Sequence, residues 1–246
     1  MEKEHIVHIS NLTKSFGDQK VVDGVSFSLF PGENLVLLGR SGTGKSVIMK
    51  CIVGLMEPDS GEIDVFGTHI GSCSEKELNE IRTRIGYLFQ EGALYDSMSV
   101  RENLLFPARR NSRTRKLGEK ELQELVEKNL ESVGLLDAMD KMPGELSGGM
   151  KKRAGLARTL MLSPEMIIYD EPTTGLDPFS SETINELILK VRREYRTSSI
   201  IITHDIKCAE VTGDRLLLLH NGRIAAEGDI DTLRHHPDTE VRTYFK

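Results

Sequence analysis

Short apolar runs bounded by glycine, proline or aspartate recur along most of the chain. Runs of this length with such boundaries predict β-strands. In two of them, MIIY and SIII, the apolar positions are continuous rather than alternating. Continuous runs are typical of strands covered on both faces, as in a parallel sheet flanked by helices. We therefore predict an α/β fold with strands at residues 7–16, 25–29, 35–38, 84–88, 166–169, 199–202, 216–220 and 223–227.

The stretch from about residue 92 to residue 163 has a different pattern and contains no convincing strand. Its apolar residues recur at helical spacing, at Leu122, Leu125, Val126, Leu130 and Val133. We expect a helical subdomain here, inserted into an α/β core at about residues 1–91 and 164–230 and followed by a short C-terminal segment at about residues 231–246. A length of 246 residues suits a single domain of this kind, and no internal repeat indicates a second one.

The composition of the chain disfavours several classes of protein. The formal net charge is −6, from 32 basic and 38 acidic residues, so a broad phosphate-neutralising surface for nucleic acid is disfavoured. No window approaches the ~18 apolar residues of a membrane span, and the polar start MEKEHIVH is unlike a secretory signal. We therefore expect a cytosolic protein. The scattered cysteines Cys51, Cys73 and Cys208 indicate neither a zinc site nor a disulfide framework.

The sequence GRSGTGKS follows the predicted strand 35–38 and fits the phosphate-loop motif G-x-x-x-x-G-K-[ST]. Its glycines let successive backbone N–H groups close around phosphates, while Lys45 reaches the terminal phosphates and Ser46 offers a hydroxyl to Mg²⁺. The helix-like VIMKCIVGL that comes next completes the strand, turn and helix context of this motif. The predicted nucleotide-binding residues of the loop are Gly39, Arg40, Ser41, Gly42, Thr43, Gly44, Lys45, Ser46 and Val47.

Two adjacent carboxylates come directly after the apolar run MIIY. Asp170 is expected at the strand end, where it can hold Mg²⁺ through water or together with Ser46. Glu171 is expected to face the γ-phosphate and to polarise the attacking water as a general base. The alternative is that the two carboxylates only cap the turn before Pro172.

A second anion site is predicted at LSGGM, residues 146–150. Ser147, Gly148 and Gly149 precede the helical run KKRAGLARTLML and therefore lie at a helix N-terminus. Open N–H groups and the helix dipole favour an anion there. Either the insertion folds back so that both anion sites serve one nucleotide, or two copies meet head to tail and the sites serve different nucleotides.

Taken together, these motifs resemble those of the ATP-binding cassette (ABC) family of ATPases over about residues 6–228. The resemblance implies ATP and Mg²⁺ as cofactors, with Asp170 and Glu171 as the magnesium and water-activating carboxylates. It also implies that Gln90, at the end of YLFQ, contacts Mg²⁺ and senses a membrane partner. His204, in IIITHD, is similar to the histidine of this family that reaches the γ-phosphate.

The same resemblance implies a homodimer that holds ATP between its two copies. Ser147, Gly148 and Gly149 are similar to the signature that caps ATP on the opposite protomer, and Asp177 to the aspartate that couples the dimer. Phe16, in SFG, lies where an aromatic ring of the family stacks on adenine.

Finer features resemble the ATPase subunits of Mce-type phospholipid transporters, the Mla system of Gram-negative envelopes. They are the run QEGALYDSMSVRENLLFP and the variants GRSGTGKSV, LSGGM and DEPTTGLDP. This implies a peripheral ATPase on the cytoplasmic side of the inner membrane, bound to integral permease subunits, with an Mce-domain lipid-binding protein and a small regulatory subunit as further partners. The alternatives are the ATPase of a small-solute importer and a soluble ABC ATPase without a transport role.

One segment of the helical subdomain is strongly basic. Residues 109–116, RRNSRTRK, carry five cations in eight residues. The segment is either a solvated loop or a contact for lipid headgroups or an acidic partner.

Overall fold

The computed structural model describes residues 4–111 and 113–245. The strands in these ranges are β1 (Val7–Phe16), β2 (Gln19–Leu29), β3 (Asn34–Leu38), β4 (Ser60–Val65), β5 (Thr68–His69), β6 (Ile85–Leu88), β7 (Met166–Asp170), β8 (Ser198–Thr203), β9 (Arg215–His220) and β10 (Arg223–Gly228). The helices are α1 (Lys45–Ile52), α2 (Glu75–Arg84), α3 (Val100–Arg110), α4 (Glu119–Ser132), α5 (Gly148–Leu160), α6 (Pro178–Tyr195), α7 (Ile206–Thr212), α8 (Ile230–Arg234) and α9 (Thr239–Tyr244).

A six-stranded sheet forms the centre of the α/β core, in the order β10, β9, β3, β8, β7, β6. Neighbouring strands from β9 to β6 run parallel, and β10 joins β9 antiparallel. The continuously apolar runs lie in its inner strands, where residues 35–38 of β3 and 200–202 of β8 are fully buried. The mixed, mainly parallel sheet and its flanking helices confirm the predicted phosphate-loop α/β fold.

The second sheet is antiparallel, in the order β2, β1, β4, β5, and here the sequence prediction was incomplete. The strand predicted at 25–29 begins earlier, at Gln19. At Gly24 the pairing with β1 is irregular. Gly24 takes a left-handed φ of 67° and donates its N–H to Thr13 Oγ1 at 3.2 Å, so the strand continues through this position. β4 and β5 were not predicted. In β4, Ile63 and Val65 are buried against β1, so a distant strand stabilises a segment whose own pattern is mostly polar.

The strand predicted at 84–88 begins one residue later because Arg84 ends α2. This helix was not predicted either, and it starts with a capping box in which Ser74 and Glu77 satisfy each other's backbone N–H groups. The Arg84 guanidinium lies 3.8 Å from the centre of the Phe66 ring and pairs with Glu165 at 2.7 Å. Arg84 therefore belongs to the outer surface of the core.

The described part of residues 92–163 contains α3, α4 and α5 and no strand. Leu122, Val126, Leu130 and Val133 are buried on the predicted apolar face of α4, and Leu125 packs partly buried against the same core. Across the described ranges, no helix combines the length and the apolar character needed to cross a membrane.

The basic segment 109–116 begins in the last turn of α3 and continues into the connection to α4, and one of its residues, Ser112, lies outside the described residues. Arg109 pairs with Glu119 at 2.7 Å and Arg113 with Glu165 at 3.5 Å. Since both pairs are exposed, they are weak. These two cations are therefore partly paired within the protein, and both interpretations of the segment stay open.

Candidate active site

Loops from four neighbouring strands meet at one edge of the six-stranded sheet. The phosphate loop follows β3, Gln90 follows β6, Glu171 follows β7 and His204 follows β8. Because these strands are parallel neighbours, the loops after their carboxyl ends converge. They form a cleft of about 340 Å³ lined by Val21, Ser41, Gly42, Gly44, Lys45, Ser46, Val47, Gln90, Asp170, Glu171, Thr174 and His204.

Two glycines give the phosphate loop a path that other residues would strain. Gly42 and Gly44 have φ values of 81° and 103°, in the region that favours glycine. A Cβ atom at Gly44 would lie only 2.7 Å from the carbonyl oxygen of Val21, so the loop also needs the missing side chain. α1 begins at Lys45, and its unpaired N–H groups and positive dipole end lie at the cleft. The loop therefore fits a phosphate group.

The buried side chain of Lys45 supplies the positive charge of the cleft. Its Nζ donates to the carbonyl oxygens of Gly39 at 2.6 Å and Arg40 at 2.9 Å, and it lies 3.5 Å from Glu171 Oε1. Burial lowers the pKa of Lys45, while the carboxylates of Glu171 and Asp170 oppose that shift. An ammonium group already held by oxygen atoms can exchange these partners for phosphate oxygens.

Glu171 lies at the centre of a hydrogen-bonded group. Its Oε2 accepts from the backbone N–H of His204 at 3.3 Å and from Thr174 Oγ1 at 3.1 Å, and it lies 2.8 Å from His204 Nδ1. The backbone of Glu171 is left-handed, with a φ of 48°, which is uncommon for a residue with a side chain. The arrangement holds one carboxylate oxygen and leaves the other facing Lys45.

Asp170 ends β7 beside a residue that the sequence did not reveal, Tyr87 of β6. The Tyr87 hydroxyl donates to Asp170 Oδ2 at 2.9 Å. Burial raises the pKa of Asp170, and the hydrogen bond from Tyr87 acts against that shift. Because β6 and β7 pair only in the folded sheet, local sequence could not predict this contact.

The cleft offers oxygen ligands that suit Mg²⁺. Ser46, Gln90 and Asp170 all line it, and a hydroxyl, an amide oxygen and a carboxylate are oxygen donors. Among residues 4–111 and 113–245, no group of three His, Cys, Asp or Glu side chains could bind a metal ion unaided. Mg²⁺ prefers six oxygen ligands and usually keeps several waters, so three protein oxygens would leave room for water or phosphate oxygens.

The residues of the second anion site lie apart from this cleft. Ser147 caps α5 and accepts from the N–H of Met150 at 3.2 Å. Ser147 and Gly148 are exposed, whereas Gly149 is buried so close to α6 that an added Cβ would lie 3.1 Å from Ser180 Oγ. Asp177 is exposed and caps α6. These residues do not line the cleft of the phosphate loop, and the head-to-tail alternative, in which they serve the nucleotide of a second copy, stays a prediction.

Three other predicted ligands lie at the rim of the site. Phe16 is 49% exposed at the end of the β1–β2 hairpin, where the cleft wall itself is made by Val21, which the sequence analysis did not predict. Arg40 is exposed, and Thr43 Oγ1 donates to the Arg40 carbonyl oxygen at 2.9 Å. Stacking of adenine on Phe16 therefore stays a prediction.

Residues 22–174, more than half of the chain, match the family model described as "ABC transporter". The chain belongs to the ABC transporter family. It has the ABC ATPase fold, and its superposition on the dimeric post-hydrolysis cassette MJ0796 bound to ADP and Pi has a TM-score of 0.80 at 29% identity, covering 91% of this chain and 98% of that one. The chain is thus an ATPase cassette of the ABC transporter family.

Relatives of this ABC ATPase carry different substrate names. It is 41% identical to the probable ribonucleotide transport ATP-binding protein mkl of Mycobacterium tuberculosis, over 97% of this chain and 66% of that protein, so it spans just under two thirds of that relative's length. It is 36% identical to the intermembrane phospholipid transport system ATP-binding protein MlaF of Haemophilus influenzae, over 99% and 91% of the two chains. It is 35% identical to the methionine import ATP-binding protein MetN of Rhizobium johnstonii, over 97% and 65%.

Proposed function

We propose that this ABC ATPase drives phospholipid transport, as the nucleotide-binding subunit of an Mce-type complex in a Gram-negative envelope. The observation that carries the proposal is the likeness to MlaF, which spans nearly the whole of both chains at 36% identity. The run QEGALYDSMSVRENL after Gln90 supports the same assignment. In this complex the protein lies on the cytoplasmic side of the inner membrane, bound to a permease, with an Mce-domain lipid-binding protein and a small regulatory subunit as further partners.

The segment around Gln90, residues 89–99, has the features of a docking surface for that permease. Phe89 and Tyr95 are both 47% exposed although they are large and aromatic. The fully buried side chain of Asn103 holds this loop. Its Oδ1 accepts from the backbone N–H of Tyr95 at 2.7 Å. The two N–H groups of its Nδ2 are shared among the carbonyl oxygens of Tyr95, Met98 and Ser99, which lie 3.0–3.1 Å away. A pre-formed loop binds its partner with little loss of conformational entropy.

A second candidate is the ATPase of a small-solute importer. The 35% identity to MetN favours it, because that value is almost the same as the identity to MlaF. In both cases the ATPase chemistry is the same, so the partner decides between them.

The experiment that distinguishes the two candidates is affinity purification of this protein from native membranes. The phospholipid proposal expects an Mce-type permease and a lipid-binding protein in the complex, and phospholipid in its lipid extract by mass spectrometry. Recovery of a solute permease and a soluble binding protein, without phospholipid above the background of a mock purification, would favour the importer.

For hydrolysis, we propose that Glu171 takes a proton from the attacking water and that Lys45 binds the terminal phosphates. Ser46, Gln90 and Asp170 would hold Mg²⁺, which would neutralise phosphate charge when bound. With Nδ1 of His204 held by Glu171, donation from Nε2 to a γ-phosphate oxygen requires the imidazolium form. The outward position of the signature supports the proposal that Ser147, Gly148, Gly149 and Asp177 act on the ATP of a second copy.

A further inference from the structure

We propose that Lys152 is a positioning residue that fixes the backbone of the loop carrying Glu171 and ties it to the signature helix α5. The proposal rests on the hydrolytic role proposed for Glu171. Lys152 follows the signature LSGGM on the same helix. It belongs to none of the motifs named above and has no role in the proposed hydrolysis.

The contacts of Lys152 all end on one short turn. Its Nζ donates to the carbonyl oxygens of Glu171 at 3.2 Å, Pro172 at 2.9 Å and Thr174 at 2.7 Å. A lysine ammonium has three N–H groups, so these carbonyl groups use its full donor capacity. The three oxygens therefore converge on a single cation.

The ammonium group of Lys152 is buried, which costs it the hydration that water would provide. Lys152 is only 4% exposed, and burial lowers the pKa of its ammonium, with the carboxylate of Glu171 acting in the opposite direction. A buried cation is tolerated where hydrogen bonds and a nearby negative charge compensate for the lost water. Lys152 has both, which explains how α5 can hold a lysine on its buried side.

The turn that Lys152 holds has an uncommon backbone conformation at Glu171. Glu171 has a left-handed backbone and directly precedes a proline, whose ring restricts its neighbour. The Glu171 carbonyl oxygen also accepts from Thr174 N–H at 3.3 Å. With the three carbonyl groups fixed, the Glu171 side chain leaves the turn in one direction, toward His204 and Lys45.

Lys152 also joins two motifs that the dimer uses in different places. It lies on α5, whose N-terminus carries Ser147, while its ammonium holds the loop of Glu171. In a head-to-tail dimer the signature of a protomer contacts the partner's ATP, whereas Glu171 acts on the ATP of its own phosphate loop. Lys152 therefore links the two ATP sites through the interior of one protomer.

The test compares Lys152→Met with Lys152→Gln and with Lys190→Met. Methionine keeps the length of the side chain but donates nothing, and glutamine keeps an amide that can donate part of the contacts. Lys190 is the control, because its half-buried side chain also donates from Nζ to a backbone carbonyl of another element, that of Ser132 at 2.9 Å, and does not line the cleft. All variants are made in the full chain, and ATP affinity, single-turnover hydrolysis and thermal stability are measured on each.

We expect Lys152→Met to slow single-turnover hydrolysis by about tenfold or more while ATP affinity stays within about twofold of the wild type. Lys152→Gln should recover part of the rate. Lys190→Met should lower thermal stability without changing the rate. Equal rate losses in Lys152→Met and Lys190→Met, or a loss that follows weakened ATP binding, would overturn the proposal. If the methionine variant does not fold, the glutamine variant is compared with Lys190→Gln by the same criteria.

A double-mutant cycle with Glu171→Gln separates this inference from the proposed function. Because Lys152 acts through Glu171, Lys152→Met should cause little further loss in the Glu171→Gln background. Multiplication of the two losses would mean that Lys152 acts elsewhere. Wild-type hydrolysis by Glu171→Gln alone would instead contradict the proposed role of Glu171.

Discussion

The replacement Glu171→Gln separates hydrolysis from nucleotide binding. Glutamine keeps the size of the side chain but cannot take a proton from water. General-base catalysis typically contributes about 10²–10⁴-fold to a rate. We therefore expect turnover to fall by at least about 10²-fold, which corresponds to about 2.7 kcal/mol of activation free energy.

The effect on ATP binding has the opposite sign. Glu171 Oε1 lies 3.5 Å from Lys45 Nζ, and the two side chains are only 12% and 6% exposed. At an effective dielectric constant of about 20, such charges attract by roughly 5 kcal/mol, much of which is offset by their desolvation. ATP must draw Lys45 away from this partner and tolerate the nearby negative charge. Glu171→Gln removes both obstacles, so its ATP affinity should equal or exceed that of the wild type.

Equilibrium binding of a fluorescent ATP analogue and phosphate release by the assembled transporter measure the two effects. Glu165→Gln serves as a control, since its carboxylate pairs with Arg84 and Arg113 at the surface. Lys45→Ala should show the reverse behaviour and bind ATP weakly. Turnover of Glu171→Gln within about threefold of the wild type, or a clear loss of its ATP affinity, would refute the reasoning.

Three further perturbations test other parts of the molecule. Burial raises the pKa of Asp170, so the folded protein binds a proton at this carboxylate more tightly than the unfolded protein does, and the free energy of unfolding falls as pH rises from 3.8 through the folded pKa. Asp170→Asn should therefore raise the melting temperature at neutral pH, by roughly 2–4 °C per kcal/mol regained. An unchanged pH profile of the melting temperature by calorimetry would contradict this. Asn103→Ala should loosen the loop after Gln90 and reduce co-purification with the permease, while ATP binding persists; equal permease recovery would argue against that docking surface. In a mixed dimer of Lys45→Ala with Gly149→Asp protomers, labelled nucleotide should be trapped on the Gly149→Asp protomer alone, and loss from both protomers would indicate that the signature acts within its own chain.

The sequence was sufficient to predict that the phosphate loop, Gln90, Asp170, Glu171 and His204 belong to one cleft. Each follows a recognisable apolar run, and the carboxyl ends of parallel strands share an edge. Their roles in binding and catalysis remain predictions. The motifs are local in sequence, which is why they could be read without the fold.

Other features depend on contacts between distant segments. β4 is ordered by its pairing with β1, and Tyr87 reaches Asp170 only because β6 and β7 are adjacent. Lys152 has the same character, since its acceptors lie in the loop after β7. A polar residue on a helix gives no local sign that its partner is a turn in another part of the chain.

The position of Lys45 has a consequence for which anions the ATPase accepts. Its ammonium donates to the carbonyl oxygens of Gly39 and Arg40 and lies 3.5 Å from the carboxylate of Glu171. An incoming anion must replace these oxygens with its own and gain additional contacts elsewhere. Inorganic phosphate has four oxygens for that exchange and for the N–H groups at the start of α1, whereas a triphosphate adds the oxygens of two further phosphate groups. The oxygens already bound to Lys45 therefore compete with an incoming anion, and this competition favours larger ligands. Free phosphate released by hydrolysis should consequently be a poor inhibitor of ATP binding.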